Sequence, residues 1–179
     1  MKKTNIALIG FMGTGKTVVG KLVAKKLKKE FIEMDDYIEK LAGKSIPKIF
    51  KEDGELIFRE LEIKACKELS KKSNSVLSCG GGIILNKINL DYLRPSSVII
   101  CLDASPKVIY KRTVMVNKNK RPLLANSNPL KSIINLLKYR APLYKRATEY
   151  HINTNKLTPD QVADKVIKIY QKVLENDTK

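Results

Sequence analysis

A three-layer α/β/α fold, with a central five-stranded parallel sheet covered by helices on both faces, is what this 179-residue chain predicts, on three observations. Short apolar runs that do not alternate read as fully buried strands. Segments of helical period separate them at spacings suited to crossovers. The glycines at 10–15 and 80–82 and the carboxylates at 33–36 fall just after strands, where sheets of this kind gather their ligands.

Ile6-Ala7-Leu8-Ile9 is the first strand, and it runs through glycines into a helical pattern carried by Val19, Leu22, Val23 and Leu27. Phe31-Ile32-Glu33-Met34 is the second strand, ending in carboxylates; Tyr37, Ile38 and Leu41 then restart a helical period that Gly43 stops. Residues 46–69 read as two helices interrupted at Asp53-Gly54. Ser75-Val76-Leu77-Ser78 is the third strand, broken by Gly80-Gly81-Gly82, and Val98-Ile99-Ile100-Cys101-Leu102 is the fourth. Ser105-Pro106 pairs an N-cap with a first-turn proline and starts a helix to about Arg112. Residues 113–128, rich in Asn and Lys, lack periodicity and predict a mobile loop. A helix over 129–146, a short strand over 150–153 and a helix over 158–174 complete the order. No repeat or linker interrupts it, so residues 1–179 are expected to form one domain.

The formal net charge is +17, which raises nucleic acid or a membrane surface as a partner. Of the 35 basic residues only six are arginines, and the lysines are scattered as solvated surface is. A nucleic-acid-binding ATPase would need a clustered basic stripe or stacking aromatics, and aromatics make up only 6%. No nucleic-acid partner is therefore expected. The apolar run 6–9 is too short for a signal peptide or a span, so a cytoplasmic protein without a membrane partner is expected. With no apolar stripe left over, so is a monomer. Cys66, Cys79 and Cys101 lack metal-ligand spacing, and one histidine, His151, is at hand; zinc and disulfides are not expected. Cys79, beside three glycines, is a candidate pocket-lining residue, with a small buried hydrophobe the commoner reading of a free cysteine, and His151 reads as a strand-end residue.

Gly10-Phe11-Met12-Gly13-Thr14-Gly15-Lys16-Thr17 matches G-x-x-x-x-G-K-[ST] in full, after a buried strand and before a helix. In such a P-loop, backbone N–H groups around Gly13, Thr14 and Gly15 cradle the β-phosphate of ATP, Lys16 reaches the β- and γ-phosphates and the Thr17 hydroxyl ligates Mg²⁺. A GTPase would carry Asn-Lys-x-Asp, but Asn117-Lys118-Asn119-Lys120 lacks the aspartate. Ser78-Cys79-Gly80 also lacks the aspartate that ends this strand in many ATPases. Beyond Thr17, then, Glu33 and Asp35 are the nearest protein candidates to support the metal.

The order and spacing of further stretches resemble the shikimate kinases along nearly the whole chain: Phe31-Ile32-Glu33-Met34-Asp35, Asp53-Gly54-Glu55, Phe58-Arg59-Glu60-Leu61-Glu62, Ser78-Cys79-Gly80-Gly81-Gly82, Arg121-Pro122-Leu123-Leu124 and Arg140-Ala141-Pro142-Leu143-Tyr144. The resemblance implies transfer of the ATP γ-phosphoryl group to the 3-hydroxyl of shikimate. It implies that Asp35 contacts the hydroxyls and acts catalytically with Lys16 and Arg121, and that Arg59 and Arg140 hold the carboxylate while Gly80, Gly81 and Gly82 close the pocket. The acceptor region would span about 33–62 and a lid about 113–125, with Arg121 near the moving phosphoryl. Arg112 and Lys156 would meet the nucleotide's adenine. Such roles suit the residue types, since a hydroxylated acid needs forked cations, an orienting carboxylate and close backbone approach. Glu62, three residues after Arg59, is placed to hold it, and Phe50 and Phe58 either wall the substrate ring or pack the core. Three features depart from the family pattern. Glu33 stands where aspartate is usual, the stretch from Arg112 to Arg121 is long and lacks glycine, and Lys156 stands where arginine is common. A related small kinase acting on gluconate or a nucleoside monophosphate is the alternative.

Overall fold

The computed structural model describes residues 3–114 and 128–176. Its sheet contains strands β1 (Asn5–Ile9), β2 (Glu30–Glu33), β3 (Ser75–Ser78), β4 (Ser97–Asp103) and β5 (His151–Asn153), all parallel, in the order β2-β3-β1-β4-β5. The helices are α1 (Lys16–Leu27), α2 (Met34–Ala42), α3 (Ile46–Glu52), α4 (Gly54–Leu69), α5 (Lys87–Leu93), α6 (Pro106–Val114), α7 (Pro129–Ala147) and α8 (Pro159–Asn176).

Successive strand residues point to opposite faces, and the core divides accordingly. Ile6 and Leu8 of β1 and Val98, Ile100 and Leu102 of β4 pack with Val19 and Val23 of α1 and Val162 and Val166 of α8. Ala7, Ile9, Ile99 and Cys101 pack on the other face with Ile38 of α2, Ala65 of α4, Leu90 of α5, Ile109 of α6 and Ile133 of α7. Both sheet faces are thus covered, which is why β1, β3 and β4 are apolar without alternation. The loop after β1 leaves toward α1 on one face, and the loop after β3 leaves toward α5 on the other. A crevice opens between the two carboxyl ends.

The expected strands and helices are present within a residue or two at each end. The break between α3 and α4 sits at Gly54, whose φ of +84° is a left-handed geometry that glycine adopts without strain. Two differences have local causes. A turn of 3₁₀ helix (Ile83–Leu85) and α5 fill the stretch after the triple glycine. The Asn86 side chain caps α5 by accepting from the Ile88 N–H at 3.2 Å, and buried Asn89 donates to the Ile83 carbonyl at 3.1 Å. Thr113, read from sequence as the start of the loop, is instead buried within α6, its hydroxyl donating to the Ile109 carbonyl at 2.7 Å. The remainder of the proposed lid, residues 115–125, lies outside the described residues. No described helix is long and apolar enough to cross a membrane.

Candidate active site

The loop between β1 and α1 is shaped by its glycines. Gly10, Gly13 and Gly15 have φ of +139°, +76° and +100°, and a Cβ on Gly10 would lie 2.3 Å from the Leu102 carbonyl oxygen. A Cβ on Gly13 would meet the Thr113 methyl at 2.5 Å, so α6 packs directly under the loop. Thr14 is buried and donates to the Phe11 carbonyl at 2.8 Å. No side chain caps the start of α1 and its first turn holds no acid, which leaves the positive end of the helix facing the cavity. Lys16 Nζ folds back to the carbonyls of Gly10 and Phe11, at 2.8 and 3.1 Å. Around it lies a cavity of about 490 Å³, which Thr17, Glu33, Asp35 and the 78–81 segment also line.

Glu33 ends β2 beside Thr17. Its Oε2 is buried and makes no hydrogen bond among the described residues. Burial pushes the Glu33 carboxyl up, opposed by the Thr17 and Ser78 hydroxyls and by Lys16, while Asp35 adds to the rise. A buried, unpartnered carboxylate oxygen beside the loop threonine is a hard oxygen donor set, and it fits Mg²⁺.

Across the crevice, Asp35 stands in the first turn of α2, Arg59 and Glu62 on α4, Arg140 on α7, and Gly80–Gly82 after β3. A Cβ on Gly80 would lie 3.1 Å from Asp35 Oδ1 and 3.3 Å from Glu62 Oε1, and one on Gly82 only 2.3 Å from the Arg59 guanidinium. Glycine is what lets these charged groups converge. Arg59 donates to Glu55 at 2.9 Å and to Glu62 at 3.0 Å, and lies over the Phe58 ring. Glu62 is 1% exposed; burial raises its carboxyl, and the positive charges of Arg59 and Arg140 oppose that. Arg140 is 7% exposed and donates to the Gly81 carbonyl at 3.3 Å, with Nε left without a partner among the described residues. Tyr144 donates to the same carbonyl at 2.6 Å. Phe58 belongs to the core and carries Phe50, with ring centroids 4.8 Å apart, at the surface.

At the other end of the cavity Arg112 donates to Thr154, at 3.0 Å to its hydroxyl and 2.9 Å to its carbonyl, and also reaches the Gly13 carbonyl at 3.4 Å. It therefore joins the phosphate loop to the segment after β5. Lys156 lines a separate surface hollow with Lys165 and Lys168, outside the cavity that Arg112 lines. Arg121 lies outside the described residues. Cys79 does line the cavity, but burial drives its thiol well above the ordinary range. Two side chains at the site had no role in the sequence reading. Tyr144 follows Arg140 by one helical turn, so it shares a face and could have been found. Thr154 carries no signal in the sequence.

The family model described as shikimate kinase matches residues 12–171. A shikimate kinase of Thermodesulfovibrio yellowstonii is 45% identical over 174 residues, covering 97% of this chain and 99% of that one. The solved structure of shikimate kinase from Acinetobacter baumannii in complex with shikimate superposes with a TM-score of 0.87 at 37% identity, over 99% of this chain and 96% of that one. A gluconokinase from Sinorhizobium meliloti, at 16% identity and a TM-score of 0.62, shares the fold. The chain belongs to the shikimate kinase family of ATP-dependent enzymes, whose acceptor is a hydroxyl of shikimate.

Proposed function

We propose that the 490 Å³ cavity holds the ATP phosphates and that the pocket between Asp35, Arg59, Arg140 and Gly80–Gly82 holds shikimate, with its 3-hydroxyl toward the γ-phosphate. The observation that carries this reading is the convergence of two guanidinium groups and one aspartate on three glycines beside the phosphate loop. Arg59 and Arg140 supply forked donors for the acceptor's carboxylate. Asp35 orients the attacking hydroxyl and takes its proton as the bond to phosphorus forms and the bond to the β-phosphate oxygen breaks. Lys16 leaves the Gly10 and Phe11 carbonyls for the phosphate oxygens and stabilises their charge, as Arg121 does from a lid over about 115–125. Thr17 and Glu33 would hold Mg²⁺, Thr17 directly and Glu33 in its support, and the ion would supply positive charge against the phosphates. Arg112 borders the adenine. Lys156 joins it there only if the segment after β5 moves, since Lys156 lies outside the cavity.

The working unit we infer is one domain, a monomer in the cytoplasm with neither nucleic acid nor membrane as partner. A coupled ADP-release assay offering shikimate, gluconate and nucleoside monophosphates in turn tests the acceptor. The expected result is turnover with shikimate alone. Phosphorylation of an acceptor without a carboxylate, with shikimate left unmodified, would overturn the assignment.

A further inference from the structure

Cys101, Asp103 and His151 come together on β4 and β5, whereas Glu33 ends β2 at the opposite edge of the sheet. Cys101 and Asp103 are two residues apart on β4 and so point to one face, and His151 is the register partner of Cys101 on β5. Their ligand atoms all lie within 4.8 Å of one another. His151 Nδ1 is 2.6 Å from Asp103 Oδ2, and Cys101 Sγ is 3.4 Å from Asp103 Oδ1. The other ring nitrogen, Nε2, faces the Thr148 carbonyl at 3.0 Å, and Thr148 is itself fixed by its hydroxyl to the Ile99 carbonyl at 2.7 Å.

That last contact directs the chemistry. A carbonyl can only accept, so Nε2 carries a hydrogen, and the ring presents Nδ1 to the carboxylate and the sulfur. Either a proton or a cation then lies between Nδ1 and Asp103. A histidine that ligates through one nitrogen while its other N–H is held by a backbone carbonyl is the usual arrangement at protein metal centres. We propose that Cys101 Sγ, the Asp103 carboxylate and His151 Nδ1 form a site for a zinc-class divalent ion, separate from the Mg²⁺ of phosphoryl transfer.

Sulfur, nitrogen and oxygen donors select such an ion over Mg²⁺, which takes oxygen. Tetrahedral ligands at ~2.0 Å from a metal stand about 3.3 Å apart, so the Nδ1 to Oδ2 gap must widen slightly, and both side chains are part exposed and able to turn. Cys101 forms the buried floor, leaving a fourth position toward solvent for water. On entry the Cys101 thiol and the Nδ1 position give up their protons to the buffer. The ion's two positive charges are then balanced by one thiolate and one carboxylate.

The test uses the reduced, untagged full chain titrated with Co²⁺, read by absorption and by thermal unfolding, without substrates. One equivalent should give a thiolate-to-cobalt charge-transfer band, displaceable by Zn²⁺ and untouched by excess Mg²⁺, with a raised melting temperature. Cys101→Ala should abolish the band. His151→Gln, at a partly exposed position less prone to disturb folding, should weaken Co²⁺ affinity at least tenfold. Absence of the band in the wild-type chain, or its persistence in folded Cys101→Ala, would overturn the proposal and leave a histidine–aspartate hydrogen bond over a thiol.

Discussion

Arg140 is almost fully buried, uses one donor on the Gly81 carbonyl and keeps a buried Nε without a partner among the described residues. Unmade hydrogen bonds on a buried cation are costly, and an incoming carboxylate would satisfy them. A charge-assisted hydrogen bond contributes about 1.5–3 kcal/mol, so Arg140→Ala should raise the shikimate KM roughly 10- to 100-fold and leave the ATP KM within about twofold. Steady-state kinetics with each substrate varied in turn checks this. Asp35→Asn should lower kcat by about a hundredfold if the carboxylate accepts the proton, and a near-normal rate would restrict it to binding. Glu33 answers to different chemistry. Burial holds its carboxyl above the ordinary 4.5, so the folded chain keeps a proton that the unfolded chain has lost. Its contribution to stability is full below the ordinary value and is lost as pH rises through the folded one. The melting temperature of the ligand-free protein should therefore fall over that interval, and fall less in Glu33→Gln; equal slopes would show that Glu33 ionises freely. Glu62, raised by the same cause, contributes in the same direction.

Among the elements, the loop after β3 places the acceptor pocket. Gly82→Ala would set a methyl 2.3 Å from the Arg59 guanidinium, forcing the side chain off its Glu62 contact. The expected effect is a shikimate KM raised about tenfold and a lowered melting temperature, because buried Glu62 loses the cation that offsets its burial. Unchanged kinetics would detach Arg59 from the carboxylate. Local signals explain what was legible in the sequence. Buried strands show as apolar runs, the phosphate loop as glycines at fixed offsets, and the α3–α4 break as Asp53-Gly54. The short α5 was not legible, since seven residues give too little period to separate from a loop. Long-range placement was not legible either. Nothing local says that Thr154 will meet Arg112, that Tyr144 will share the Gly81 carbonyl, or that residues 50 apart will bring His151 beside Cys101. The last depends on strand register, and the other two on how α6 and α7 pack against the loops that follow the strands.

For the molecule as a whole, the +17 charge is the feature that most invites a wrong partner. Dispersed lysines attract any polyanion weakly, and salt screens them within about 8 Å at physiological ionic strength. Phosphotransfer at 0.15 M salt should therefore change less than about twofold on adding RNA or duplex DNA; steep stimulation would revive the nucleic-acid reading. Light scattering should give a particle near the chain mass of 20.2 kDa. The Phe50–Phe58 stack offers an optical handle on the whole cycle. The chain contains no tryptophan, and Phe50 is a half-exposed ring propped against the residue next to Arg59. A Phe50→Trp chain would carry a solitary indole near the acceptor, away from the nucleotide. Its emission could follow shikimate arrival in stopped flow without a coupling enzyme, and mixing with and without ATP would reveal which substrate enters first.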